Sequence, residues 1–61
     1  MKKLLEHTYG GSIFMRLEHN GKIYEVSNYA GVDGSWEHFK TTADDNPELR
    51  DRLIAAFRAL Y

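Results

Sequence analysis

Three histidines, His7, His19 and His38, are the side chains of this 61-residue chain best suited to titrate near neutral pH or to bind a transition metal. Zinc sites usually take ligands from positions a few residues apart on one element, whereas these histidines are separated by 12 and 19 residues. No cysteine is present to complete a ligand set. The spacing therefore predicts no metal site, and surface histidines at strand ends and beside a turn account for the pattern.

Nucleophilic catalysis would need a serine, a histidine base and an orienting acid that meet in a pocket. The three serines, Ser12, Ser27 and Ser35, do not lie in a nucleophile-elbow sequence. The glycine-containing stretch 31–35 lacks the lysine and the spacing of a phosphate-binding loop. A chain this short also has little volume for a small-molecule cleft. We therefore expect a protein that is not an enzyme and that uses no cofactor.

The dipeptide Asn20-Gly21 lies between two stretches of strand-forming residues and predicts a β-hairpin. A two-residue type I′ turn needs positive φ at both central positions, which asparagine tolerates and glycine accepts freely. Such a turn fixes the register of the strands and so sorts the side chains between two faces. The face predicted to point inward carries Ile13, Met15, Leu17, Tyr24 and Val26. The opposite face places Arg16 across from Glu25 and leaves Phe14 and Ile23 as apolar residues on the polar side.

Two further strands are expected on either side of this hairpin. The segment 35–41 follows a loop with two glycines and an aspartate, although Trp36 and Phe39 are three apart and do not alternate cleanly. Before the hairpin, residues 4–9 predict a strand with Leu5, His7 and Tyr9 on one face, joined through a tight turn or bulge at residues 10–11.

The C-terminal segment has the features of an amphipathic helix. Asn46 is a favourable N-cap, Pro47 suits the first helical position, and acidic residues precede and begin the helix. At 100° per residue, one apolar stripe is formed by Leu49, Leu53, Ala56, Phe57 and Leu60. This stripe would cover the inward face of the hairpin. The sequence thus predicts one α+β domain over residues 1–61, with an antiparallel sheet of three to four strands and one C-terminal helix packed on one face.

Composition limits the environment of the protein. No apolar run approaches the ~20 residues that a membrane-spanning helix needs. The absence of cysteine favours a reducing compartment, most simply the cytoplasm, and leaves a small core without disulfides. A homodimer would relieve this thin core.

Charge and aromatic content point to a binding surface. The net charge is only −1, yet residues 25–46 carry five carboxylates and one lysine. Eight aromatic residues exceed what a helix on a sheet of this size can enclose, and aromatic side chains dominate many interfaces. The candidates for a partner-binding patch are Phe14, Ile23, Tyr29 and Trp36, bordered by Glu25, Asp33 and Glu37. Alternatively, the carboxylates of residues 25–46 serve local structural roles in loops and before the helix.

The sequence accordingly favours a non-enzymatic protein-protein interaction module that docks on a larger protein with a basic surface. Phages and mobile elements use small, cysteine-free domains of this kind to block basic grooves of nucleic-acid-handling machines such as CRISPR effectors, an analogy of size and charge. The alternative is a small homodimeric nucleic-acid-binding regulator that uses Lys2, Lys3 and the helix arginines. Near-zero net charge and the lack of a basic cluster make nucleic acid the less favoured partner.

Overall fold

The computed structural model describes residues 1–61 as a four-stranded antiparallel sheet with one helix. The elements are β1 (Lys2–Tyr9), β2 (Ser12–His19), β3 (Lys22–Tyr29), β4 (His38–Thr41) and α1 (Pro47–Leu60). Each strand pairs with the next one along the chain, in the order β1-β2-β3-β4. The α+β class predicted from the sequence is confirmed.

The central hairpin, β2 to β3, has the predicted turn and register. Asn20 and Gly21 adopt φ values of 53° and 78°, as a type I′ turn requires. Leu17 lies opposite Tyr24, and every other pair of the hairpin follows from that turn. Because the register fixes which face each side chain occupies, four of the five residues predicted to point inward, Ile13, Met15, Leu17 and Val26, are buried in the core, and the fifth, Tyr24, is partly buried against it.

The first strand extends the predicted N-terminal strand by two residues and contains a β-bulge. Gly10, with φ of 42°, begins the tight turn that joins β1 to β2. The pairing register shifts between Lys3 and Leu5, so Leu4 is the extra residue of the bulge. Beyond the bulge, the segment Leu5–Tyr9 pairs regularly with β2.

The last strand is shorter than the predicted segment 35–41, because β4 begins only at His38. A compact turn holds the preceding residues: the Gly31 amide donates to the Ser35 carbonyl at 2.9 Å. The buried Asn28 side chain then donates through Nδ2 to the carbonyl oxygens of Trp36, at 2.7 Å, and His38. The Asn28 side chain thus takes the place of a neighbouring strand for the backbone at Trp36. Trp36 therefore lies outside β4, and its side chain does not follow the strand alternation that places Phe39.

The helix begins as predicted. Asn46 is the N-cap, its Oδ1 accepts a hydrogen bond from the Leu49 amide, and Pro47 occupies the first turn. Leu53 and Phe57 are buried, whereas Leu60 is 37% exposed and lies outside the core, contrary to the predicted stripe. No helix in the chain is long and apolar enough to cross a membrane.

The core lies between the helix and one face of the sheet. Its buried hydrophobic side chains are Ile13, Met15, Leu17, Val26, Ala43, Leu53 and Phe57. Phe39 of β4 packs edge-on against Phe57 at 5.5 Å between ring centroids. The helix backbone runs closest to β3 and β4, and every residue of β1 except Leu5 is exposed.

Candidate functional site

The sheet has one face that no element covers, which we call the outer face. The strand pairing assigns it these side chains: Lys2, Leu5, His7 and Tyr9 from β1, Ser12, Phe14, Arg16 and Glu18 from β2, Ile23, Glu25, Ser27 and Tyr29 from β3, and His38 and Lys40 from β4. The helix and the buried core lie on the opposite side. The outer face is therefore the largest surface on which the fold itself places apolar and aromatic side chains without a cover.

At the centre of the outer face, Phe14 is half-buried beside an ion pair. Arg16 donates to Glu25 Oε2 from Nη2 at 2.7 Å and from Nε at 3.2 Å. Its guanidinium carbon lies 5.9 Å from the Phe14 ring centroid. Since both charged side chains are about 40% exposed, the pair contributes at most about 1 kcal/mol to stability. Its main effect is to fix the guanidinium beside the ring and leave Glu25 Oε1 free of internal bonds.

A shallow cleft lies next to Phe14 on the same face. Its volume is about 270 Å³, and it is lined by Phe14, Glu25, Ser27, Lys40, Thr41 and Thr42. This volume is below the ~300 Å³ at which small-molecule sites begin. The cleft is therefore small for a whole ligand.

Ring pairs flank this centre at the end of the sheet away from the Asn20-Gly21 turn. His7 stacks on Tyr9 at 5.6 Å between centroids, and Tyr29 stacks on His38 at 5.7 Å. His38 in turn lies directly over Gly31, where a Cβ would overlap its ring. A side chain at position 31 would therefore displace the exposed His38 ring from its place over the loop.

The β3–β4 loop carries Asp33, whose carboxylate has a local role. Asp33 Oδ1 accepts a hydrogen bond from the Ser35 amide at 3.0 Å and lies 3.8 Å from His38 Nε2. The backbone hydrogen bond from Ser35 is the main cause that lowers the pKa of Asp33, and the charge of His38 adds to it. Asp33 therefore remains ionised while it orders the loop.

The predicted site residues separate into two groups. Phe14, Ile23, Glu25 and Tyr29 lie on the outer face, whereas Asp33, Trp36 and Glu37 lie in the β3–β4 loop. Ile23 is 60% exposed, Trp36 45% and Tyr29 40%.

These residues do not form one continuous patch. Ile23 and Tyr29 are six positions apart on β3, about 20 Å at the rise of a strand, and the Arg16–Glu25 pair lies between them. Trp36 is tied through its carbonyl to Asn28, whose side chain lies on the helix side.

The predicted partner-binding patch left out four members of the outer face, namely His7, Tyr9, His38 and Lys40, although His7 and Tyr9 were predicted to share one face of the first strand. The first two share a face by simple alternation in β1, a pattern that was visible in the sequence. The last two could be assigned only once the true start of β4 was known.

The acidic segment contributes less free charge than its composition suggests. Asp44 accepts hydrogen bonds from the amide and the hydroxyl of Thr41 and pairs with Arg50 at 3.2 Å. The hydrogen bonds from Thr41 are the main cause that lowers the pKa of Asp44. Glu37 and Asp45 remain exposed and form no ion pair.

The three helix arginines also have internal contacts. Arg50 donates to the Phe39 carbonyl as well as to Asp44. Arg52 pairs with Glu48 at 3.0 Å, and the guanidinium of Arg58 lies 5.2 Å from the Phe39 ring centroid. Arg50 and Arg58 thus both lie beside Phe39 of β4, whereas Arg52 pairs along the helix with Glu48.

A second cleft, of about 360 Å³, separates the hairpin turn from the start of the helix. It is lined by His19, Asn20, Lys22, Tyr24, Asn46, Glu48, Leu49 and Arg52. Its charged groups have both signs, and Glu48 and Arg52 bond to each other. No group of three metal-binding side chains comes together anywhere in the chain. Comparisons with protein families, with curated proteins and with solved structures find no match to this chain.

Proposed function

We propose that this chain is a non-enzymatic protein-protein interaction module that docks a larger protein on the outer face of its sheet. The observation that carries the proposal is the distribution of apolar side chains. Tyr9 and Tyr29, 64% and 40% exposed, both lie across from Ser12 at one end of a face that the helix does not cover, and Ile23 is 60% exposed at the other end. A group of exposed aromatic side chains on one regular surface is typical of interaction sites.

The centre of the outer face has the composition of an interface anchor. Tyrosine and arginine are enriched among residues that dominate binding energy, and here Arg16 and Tyr29 lie on either side of Phe14 and its cleft. The pre-formed Arg16–Glu25 pair lowers the entropic cost of ordering the guanidinium when a partner binds. A single apolar side chain of the partner that enters the cleft would be desolvated against the Phe14 ring.

The partner we propose has a basic surface around the contact. Two exposed carboxylates form no ion pair: Glu18 lies on the outer face near the hairpin turn, and Glu37 lies in the β3–β4 loop. Such groups steer a basic partner and make association weaker as salt rises. A nucleic-acid-handling protein with a basic groove fits this chemistry, and an inhibitor from a phage or mobile element is one origin consistent with the size and charge of the chain.

A second candidate, a nucleic-acid-binding regulator, is supported by a different observation. Lys40 forms no ion pair, and the His7/Tyr9 and Tyr29/His38 ring pairs lie on the same face. Aromatic rings beside free cations can stack single-stranded bases. The internal contacts of the helix arginines support this candidate less than a free basic patch would.

Charge reversal at Glu18 and Glu37, which we call the rim, separates protein docking from nucleic-acid binding. The variant Glu18→Lys/Glu37→Lys changes two exposed carboxylates without touching Asp33, which orders the loop. Its matched control, Glu48→Lys/Asp51→Lys, makes the same change of charge on the helix. Affinity capture from lysate with each protein, followed by titration of the isolated partner into isotope-labelled chain, gives the readout by amide shifts.

Protein docking predicts that the rim variant loses the captured partner, that the helix variant keeps it, and that shifts concentrate on β2 and β3. A partner whose binding shifts only helix residues would contradict the proposal. Binding of a single-stranded oligonucleotide that the rim variant strengthens would instead support the second candidate.

A further inference from the structure

The first strand has an open edge that is longer than any other in the sheet. β1 pairs on one side only, with β2, and it has eight residues without proline or glycine, whereas the opposite edge strand β4 has four. Unpaired amide and carbonyl groups on such an edge are a template for another strand. The helix lies over β3 and β4, so it does not shield the edge of β1.

Only half of this edge is protected against strand addition. Lysines and bulges are the usual devices that protect an edge, and both occur in the first half, as Lys2, Lys3 and the bulge at Leu4. The second half, Leu5–Tyr9, is regular, contains no lysine or arginine, and carries Glu6 as its one acidic group. This five-residue segment is therefore the part of the edge open to pairing.

Pairing of this segment with itself is limited by the faces of its side chains. Leu5, His7 and Tyr9 lie on the outer face, whereas Glu6 and Thr8 lie on the helix side. When two copies of one strand pair antiparallel around a two-fold axis, residues opposite each other lie on the same face of the sheet. The residue numbers of each opposite pair then add up to the same value, which is twice the number of the residue on the axis. An axis at His7 pairs the whole segment, Leu5 with Tyr9 and Glu6 with Thr8. An axis at Glu6 or at Thr8 pairs only three residues of the segment. The axis at Glu6 also places the two Glu6 carboxylates opposite each other, where they repel.

We infer that the chain forms a homodimer by antiparallel pairing of Leu5–Tyr9 with the same segment of a second copy, around a two-fold axis at His7. The two sheets then join into one of eight strands. Both helices lie on the same side, each over its own β3 and β4 and away from the axis. The two outer faces become one continuous surface, but the dimer does not depend on what docks there.

The dimer should be weak because one short strand contact buries less than the ~1,200 Å² of a stable interface. Sedimentation and translational diffusion of the whole chain should therefore be followed up to about 1 mM, where even a dissociation constant near the millimolar range gives measurable dimer. Amide exchange gives an independent readout, since residues 5–9 should become more protected as concentration rises and residues 38–41 should not.

His7 is exposed, so substitutions there test the axis without disturbing the core. His7→Lys sets two ammonium groups against each other and should weaken the dimer roughly fivefold to tenfold, whereas His7→Gln should keep it. His19→Lys, at the turn of the central hairpin, is the matched control and should dimerise like the unchanged chain. A monomer at every concentration, or a dimer that His7→Lys leaves intact, would overturn the inference. So would β1 protection that appears only on addition of a different protein, because that protein would then be the occupant of the edge.

Discussion

Two residues of the same strand, Ile23 and Val26, should separate stability from docking. Val26 is fully buried against the helix, and Ile23 is 60% exposed on the outer face. Val26→Ala removes two buried methyl groups and leaves a cavity, which should cost about 2 kcal/mol of unfolding free energy. Ile23→Ala removes side-chain atoms that are already mostly in water, so its cost should stay within about 0.5 kcal/mol.

The size of this difference is large for so small a protein. A 61-residue domain has about 3 to 9 kcal/mol of total stability, so Val26→Ala takes a substantial share of it. In thermal unfolding followed by circular dichroism, the loss corresponds to roughly 10 °C in Tm, against a few degrees at most for Ile23→Ala. Each unfolding curve should be measured at the same pH and salt concentration.

The affinity for a partner should respond to the two substitutions in the opposite order from stability, with the larger loss for Ile23→Ala. If Ile23 is an anchor, its truncation should weaken partner binding by about 1 kcal/mol or more, or at least fivefold. Val26→Ala should bind normally at temperatures where it is folded, since Val26 has no exposed surface to offer a partner. Equal losses of stability from the two variants would refute the reasoning, because they would mean that Ile23 is part of the structural core. Unchanged affinity of Ile23→Ala would remove it from the docking surface.

Three further predictions concern the features that position the outer face. Gly21→Ala places a side chain at φ of 78° and should cost about 1 kcal/mol, whereas Gly11→Ala, with open space at its Cβ, should be nearly neutral in urea unfolding. Asn28→Leu leaves two carbonyls without their donor, so it should cost about 1 to 3 kcal/mol and shift the fluorescence of Trp36. Asp44→Asn keeps an acceptor oxygen but cannot ionise. Because hydrogen bonds lower the pKa of Asp44 in the folded state, its contribution is present above its ordinary pKa of 3.8 and is lost as pH falls through the lower folded value. Urea midpoints between pH 5 and pH 2 should thus fall less steeply for the variant, and equal slopes would contradict this assignment.

Local sequence signals were enough to predict the hairpin and the start of the helix. A type I′ turn at Asn20-Gly21 allows one register, and that register alone sorts ten or more side chains between the faces. The helix start depended on Asn46 and Pro47, whose roles are also local. These predictions succeeded because each depends on chemistry within a few residues.

Tertiary contacts decided what the sequence could not. The start of β4 is set by the Asn28 side chain, which bonds to backbone eight and ten residues away. The bulge at Leu4 shifts the register of β1 without any glycine or proline to mark it. The candidate patch was predicted as one group because the register placed Phe14 and Ile23 on the outer face but could not place Trp36, which the structure puts in the β3–β4 loop. The sequence also overestimated the acidic segment as a binding surface, because the carboxylates of Asp33 and Asp44 accept hydrogen bonds from nearby backbone amides.

The simple strand order has a consequence for how quickly the native state is reached. Every strand pairs with its immediate neighbour along the chain, so each hairpin closes across a short connection. Proteins dominated by such nearby pairings fold faster than those that must first join distant segments, because less chain entropy is lost before contacts form. We expect the sheet to nucleate at the two-residue turn and the helix to dock last, with refolding complete within milliseconds.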